Sequence, residues 1–170
     1  MGNKLAIYPG TFDPVTIGHL DIVNRASLLF DKLIIAVAGD TPKNTLFSLE
    51  DRVDMVKYEV KSLRLCNVSV KSFYGLLINF VLQEKACVIV RGIRAVSDFE
   101  HEFQMAYMNH KLNNRIQTIL LPSTENGSFI SSSFVKEIAK VGGKVGSFVS
   151  DYVEVKLIAA FQGDGGSTKI

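Results

Sequence analysis

Eight polar residues on four stretches of the chain have the chemistry of anion handling. They are Thr11 and His19, separated by a turn containing Gly18; Lys43; Arg91 and Arg94; and the run Ser131-Ser132-Ser133. Gly18 lets a phosphate approach the backbone closely, and His19 stands at the first turn of a helix, whose free amides favour anions. Arginine grips phosphate in a fixed bidentate geometry. The serine run offers hydroxyls and amides at a second helix start, although one serine would suffice as a simple cap. Solvated loop charge is the plain alternative for Lys43. It is less natural for Arg91, which follows Ile89-Val90 directly. Together these groups point to an enzyme that handles a nucleoside triphosphate.

Other chemistries lack their groups. The chain contains neither a Gly-x-x-x-x-Gly-Lys-Ser/Thr phosphate loop nor a Gly-x-Gly-x-x-Gly fingerprint after its first strand. No Gly-x-Ser-x-Gly elbow surrounds the serines, which argues against a serine hydrolase. Asp98, Glu100, His101 and Glu102 suggest a metal cage, but adjacent helical residues do not point to one centre. Magnesium that keeps its waters and rides on substrate phosphates needs no such cage. Cys66 and Cys87 form no Cys-x-x-Cys pair, so a zinc site is poorly supported. Cys87, in a strand-like run, is expected to be a small buried hydrophobe.

The elements that must position these groups follow from periodicity. The stretch Ala6-Ile7-Tyr8-Pro9-Gly10-Thr11-Phe12-Asp13-Pro14-Val15-Thr16-Ile17-Gly18-His19 begins as a strand, breaks at Pro9-Gly10 and ends in a polar turn before a helix over 19–30. Leu33 to Ala38 is nearly continuously hydrophobic, as in a parallel strand covered on both faces. Ser48 caps a helix to about Leu63, with Asp51 imitating part of a capping box. Strands are expected over 67–71, 86–90 and 116–121. Helices are expected around Leu76 to Val81, over 98–114, from Ser131 to Gly142, and after Ser150. On the helix after Asp98, Phe99, Phe103, Ala106 and Tyr107 share one side, while Met105, Met108 and Leu112 lie on another. So wide an apolar arc fits either two neighbours, the sheet and a partner subunit, or a well-buried helix in a monomer. Five alternations of strand and helix predict an α/β fold with right-handed crossovers and a five-stranded parallel sheet flanked by helices, but leave the strand order open. Ligands sit above the carboxyl edge of such sheets.

The 170 residues suit one domain, expected over 1–161, with a glycine-bearing flexible tail at 162–170. Formal charge is only +2, which predicts little nonspecific grip on nucleic acid. No secretory signal or membrane-spanning run is seen, and Met1-Gly2 lacks the Ser or Thr at position 6 of a myristoylation motif. A cytoplasmic protein with neither nucleic acid nor membrane partner is expected.

The sequence resembles the bacterial phosphopantetheine adenylyltransferases, nucleotidyltransferases with a Thr/His-x-Gly-His motif and a Rossmann-like fold. The resemblance runs from about Leu5 to Phe161. It rests on Tyr8-Pro9-Gly10-Thr11-Phe12-Asp13-Pro14, Thr16-Ile17-Gly18-His19, Arg91-Gly92-Ile93-Arg94-Ala95, Asp98-Phe99-Glu100 and Phe129-Ile130-Ser131-Ser132-Ser133. It implies adenylyl transfer from ATP, with Mg2+, to 4'-phosphopantetheine, giving dephospho-coenzyme A and pyrophosphate. By the same resemblance Thr11 orients the acceptor phosphate, and His19 and Lys43 stabilise the transition state. Arg91 holds the acceptor and Arg94 grips the ATP phosphates. Gly10, Phe12, Gly92, Asp98, Glu102, Ile130 and Ser131 to Ser133 match the ATP side; Leu76, Leu77 and Asn109 match the pantetheine side. A homohexamer and feedback binding of coenzyme A are further family expectations. A related enzyme using another phosphorylated acceptor, or a noncatalytic nucleotide-binding regulator, are the rival readings. Two departures stand out. The segment Pro122 to Ser128 is one residue longer than usual, with Asn126-Gly127 where an aromatic is common, and Asp40 occupies a position that is often uncharged.

Overall fold

Residues 4–41, 44–124 and 130–163 are described by the structure, a computed structural model. Lys43, the segment 125–129 and the end of the chain after Gly163 lie outside them. Five parallel strands form one sheet, β1 (Leu5–Gly10), β2 (Lys32–Ala38), β3 (Val68–Phe73), β4 (Val88–Ile93) and β5 (Gln117–Pro122), in the order β3-β2-β1-β4-β5. The helices are α1 (Ile17–Leu29), α2 (Leu49–Ser62), α3 (Leu77–Gln83), α4 (Val96–Leu112), α5 (Ser132–Lys140) and α6 (Asp151–Gly163). The chain reverses its direction of travel after β3, so right-handed crossovers place α1 and α2 on one face and α3 and α4 on the other. The core divides accordingly. One layer joins Val23, Met55, Val56, Val135, Val153 and Leu157 to the sheet; the other joins Ile78, Phe80 and Val81 to Ile7, Ile34 and Ile89. The switch between β1 and β4 leaves a crevice at the carboxyl edge.

Three expectations need correction. Strand β4 does not end at Val90: the ladder to β5 continues through Arg91↔Leu120 and Ile93↔Pro122, so Arg91 is part of the strand. Its side chain shares a face with Ile89, two residues earlier, and points toward α4. Cys87 is exposed, because it precedes β4 at the amino edge of the sheet. Helix α4 inverts the usual amphipathic arrangement. Phe99, Phe103, Met105, Tyr107, Met108 and Leu112 are exposed, whereas its buried members are Glu102 and Asn109. The stripe facing the sheet is thus polar. Leu29, Leu63 and Ile158 are exposed on their helices.

Two buried charges to which the sequence reading gave no role hold the loops at the carboxyl edge. Asp13, 4% exposed, accepts hydrogen bonds from the amides of Leu46 (3.0 Å) and Phe47 (3.0 Å) and pairs with Lys136 of α5. Arg52, 2% exposed, donates to the carbonyls of Thr11 (2.7 Å), Ala38 (2.8 Å) and Phe47 (3.3 Å). The three carbonyls lie just after β1, at the end of β2 and just before α2, so one guanidinium fixes the loop after β1, the end of β2 and the entry to α2. Asp40 adds a brace, accepting from the amide of Gly75 at 2.8 Å across the loops after β2 and β3.

Hydrogen bonds to charged groups contribute about 1.5–3 kcal/mol. Replacing Arg52 with Met, which keeps bulk but leaves three carbonyls unpaired, is expected to lower unfolding free energy by about 3 kcal/mol in urea. A loss below about 1 kcal/mol would show that water replaces the guanidinium without penalty.

Candidate active site

The crevice opens into a cleft of about 420 Å³. It is lined by the ends of β1 and β4, the starts of α1 and α5, the inner side of α4 and the first turn of α3. Of the expected site residues, Gly10, Thr11, Phe12, His19, Leu77, Arg91, Gly92, Arg94, Glu102, Asn109, Ile130, Ser131, Ser132 and Ser133 all border it. Leu76, the residue before α3, and Asp98 do not. Lys43 falls outside the described residues.

His19 is placed by a capping box. The side chain of Thr16 caps α1 by accepting from the His19 amide (3.4 Å), and His19 Nδ1 accepts from the Thr16 amide (3.1 Å). An amide can only donate, so Nδ1 presents a lone pair and the ring proton of the neutral form sits on Nε2. Thr16 Oγ1 lies 2.9 Å from the same Nδ1. Desolvation, followed by the positive fields of Arg94 and Arg91, pushes the imidazolium down to about 4. At neutral pH His19 is therefore an uncharged donor.

Phe12 buttresses that ring. It adopts φ 51°, is buried, and meets His19 edge-on at 5.1 Å and Tyr8 at 5.6 Å. A Cβ on Gly10 would stand 2.9 Å from the Phe12 ring, so the folded-back phenyl requires glycine there. A Cβ on Gly92 would lie 3.0 Å from Ile22 Cγ1, which keeps β4 close to α1.

The two arginines are held by carboxylates of α4. Arg91 makes a bidentate pair with Glu102, Nε to Oε2 at 2.7 Å and Nη2 to Oε1 at 2.6 Å, and donates through Nη1 to the carbonyl of Pro9 at 2.8 Å. Desolvation opposes its charge, but the Glu102 hydrogen bonds and charge outweigh it and hold the guanidinium more firmly protonated than usual. Arg94 donates through Nε to Asp98 Oδ2 at 3.1 Å and through Nη1 to the carbonyl of Ile130 at 3.2 Å. Burial would raise the Asp98 pKa; Arg94 reverses that and keeps the carboxyl below its ordinary value. Asp98 thus stands behind Arg94 and orients it.

The serine run divides its labour. Ser131 caps α5 by accepting from the Phe134 amide at 3.1 Å, Ser132 donates to the carbonyl of Pro14 at 2.8 Å, and Ser133 is exposed at the cleft. Both the cap and the site explanations therefore apply. Lys136, one turn further into α5, also borders the cleft and was not singled out from sequence; its spacing from Ser132 was the available signal. Among the described residues, no three His, Cys, Asp or Glu side chains gather as a metal cage, and no helix is long and apolar enough to cross a membrane.

Comparison with other proteins places this architecture. A family model described as cytidylyltransferase-like matches residues 7–138. A protein of Wolbachia pipientis named phosphopantetheine adenylyltransferase is 54% identical over 158 residues, covering 93% of this chain and 94% of that one. A protein of the same name from Rhodospirillum rubrum is 48% identical over 166 residues, covering 96% of each. The solved structure of Plasmodium falciparum nicotinic acid mononucleotide adenylyltransferase superposes with TM-score 0.70 over 95% of this chain and 97% of that one; at 13% identity it speaks for the fold alone. The expected Rossmann-like nucleotidyltransferase architecture is borne out, and the chain belongs to the phosphopantetheine adenylyltransferases of the cytidylyltransferase-like family.

Proposed function

We propose that this protein transfers the adenylyl group of ATP to 4'-phosphopantetheine, giving dephospho-coenzyme A and pyrophosphate in coenzyme A biosynthesis. The observation that carries the site assignment is the convergence of Arg91, Arg94, the Nε2–H of His19 and two helix N-termini on one cleft. Relatives at about half identity over nearly the whole chain support the acceptor.

The chemistry asks little of a general base, because the attacking phosphate is already an oxyanion. One of its oxygens bonds to the ATP α-phosphorus, the α-phosphorus–oxygen bond to the β-phosphate breaks, and pyrophosphate leaves with that electron pair. The protein must bring two anions together and stabilise charge on the α-phosphoryl oxygens. Arg94 and the amides at the start of α5 take the ATP phosphates, and Arg91 takes the acceptor side with its fork set by Glu102. Thr11, whose carbonyl is fixed by Arg52, orients the acceptor phosphate. The Nε2–H of His19 donates to the transferring group. Lys43 shares the acceptor phosphate by family resemblance. Glu102 and Asp98 are engaged by Arg91 and Arg94, so a magnesium ion would be held mainly by the ATP phosphates, where it would neutralise part of their charge.

The exposed apolar face of α4 supports assembly of several copies, and the family resemblance supports a homohexamer. Coenzyme A, which keeps both the adenylate and the pantetheine arm, would occupy the same cleft as a feedback ligand. A cytoplasmic setting follows from the pathway.

Incubation with magnesium, ATP and 4'-phosphopantetheine is expected to release dephospho-coenzyme A and pyrophosphate in equal amounts. His19→Ala should lower kcat about 10²–10³-fold, the range for one preorganised donor, while folding survives. Product with a different phosphorylated acceptor only would assign another member of the superfamily; ATP binding without pyrophosphate would assign a regulator. The free enzyme's His19 ring resonances should stay in the neutral form from pH 8 to about 5 and titrate near 4. By linkage the lowered value stabilises the fold above about 6.5, and that contribution is lost as pH falls through 4. A midpoint near 6.5 would contradict the buttressed neutral ring. Light scattering should give the mass of six chains, and a monomer at micromolar concentration would contradict assembly through α4.

A further inference from the structure

Among the described residues two buried hydroxyls at the cleft have no hydrogen-bond partner, those of Thr118 and Ser123, and that of Thr118 lies beneath the arginines. Thr118 is the second residue of β5 and pairs with Ile89 in parallel register. Residues paired in this way point to the same side of a sheet, and Ile89 lies in the core layer beneath α3. Thr118 therefore faces the α3–α4 side. It borders the cleft with Leu77, Met105, Ala106 and Asn109, a largely apolar arm. Its Oγ1 is buried and has no hydrogen-bond partner among the described residues. Buried polar atoms are nearly always paired, and a valine of the same shape would remove the penalty outright. The neighbouring strand positions Ile119, Leu120 and Leu121 are aliphatic, so a hydroxyl here is not a general feature of β5.

We infer that Thr118 is a specificity-determining residue, whose hydroxyl hydrogen-bonds the amide-bearing arm of the acceptor. The inference rests on the proposed function, because it takes the acceptor to be a phosphate followed by a chain with two amides. The register supports the placement. Arg91 pairs with Leu120, so Thr118 lies two residues, about 7 Å, further from the carboxyl edge than the rung of the arginine that takes the acceptor side. An acceptor entering with its phosphate at Arg91 and descending between α3 and α4 brings its amides past Thr118. Their carbonyls accept and their N–H groups donate, and a hydroxyl can meet either. A site that pairs a ligand's polar group rejects analogues lacking it, since the hydroxyl is then left unsatisfied.

The test uses the full chain with Thr118→Val and Thr118→Ser. Thr118→Val is expected to raise KM for 4'-phosphopantetheine about tenfold, to leave KM for ATP and kcat within about twofold, and to raise the melting temperature of the ligand-free protein. Thr118→Ser, which keeps the hydroxyl, should restore the acceptor KM. An unchanged acceptor KM in Thr118→Val, an equal rise for ATP, a valine variant that fails to fold, or a serine variant as weak as valine would each overturn the assignment. Wild-type protein that makes no dephospho-coenzyme A would instead overturn the proposed function, and this inference with it.

Discussion

Asp13 and Arg52 anchor the carboxyl edge from opposite chemical directions. The carboxylate accepts from backbone amides of Leu46 and Phe47; the guanidinium donates to backbone carbonyls of Thr11, Ala38 and Phe47. Loops at the end of a parallel sheet have no ladder of their own, and their buried peptide groups need partners. Here two side chains supply those partners and fix the β1 loop that carries Thr11 and Phe12. Phe12 in turn packs against His19, and Lys136 joins α5 to Asp13. The positions of Thr11, His19 and the start of α5 thus depend on one pair of buried charges rather than on contacts with substrate.

The polar inner stripe of α4 has the same logic on the other side of the cleft. Glu102 and Asp98 keep the guanidiniums of Arg91 and Arg94 pointing at the crevice, at the cost of an apolar outer face. Desolvation, reinforced by the positive charge of Arg94 and Arg91, keeps the His19 ring neutral, so the site has permanent cations together with a neutral N–H donor. Such a donor can approach an arginine-bound phosphate without like-charge repulsion. Direct stabilisation by placed charges and dipoles, with no acid or base to recharge, suits a reaction whose nucleophile arrives already ionised.

Much of this was legible in sequence because it is local. Short apolar runs marked the strands, and Ser48, Ser131 and Ser150 announced their helices. Residue type and placement singled out Thr11, His19, Lys43, Arg91, Arg94 and Ser131 to Ser133, the resemblance added the other site residues, and most of them meet in one cleft. What escaped is nonlocal. Arg52 sits on a helix face where a charged residue reads as solvent-exposed, yet its carbonyl partners come from 5 to 41 residues away. Strand order was open because alternation is the same for any order of parallel strands. Which side of α4 meets the sheet was not legible, because periodicity reports that an apolar stripe exists, not what covers it: Phe103 is exposed and Glu102 buried. Thr118 gave no signal, since one threonine in a strand is ordinary until its hydroxyl proves unpaired.

The central claim is that the cleft holds the two phosphates for direct transfer, and that its side chains stabilise charge without bonding to the adenylyl group. The stereochemical course at the α-phosphorus tests this most directly. With ATP made chiral at that atom by sulfur substitution, one in-line displacement predicts inversion of configuration in the dephospho-coenzyme A product. Retention would mean two displacements through an adenylylated side chain, with His19 Nε2 the first suspect, and would contradict the account.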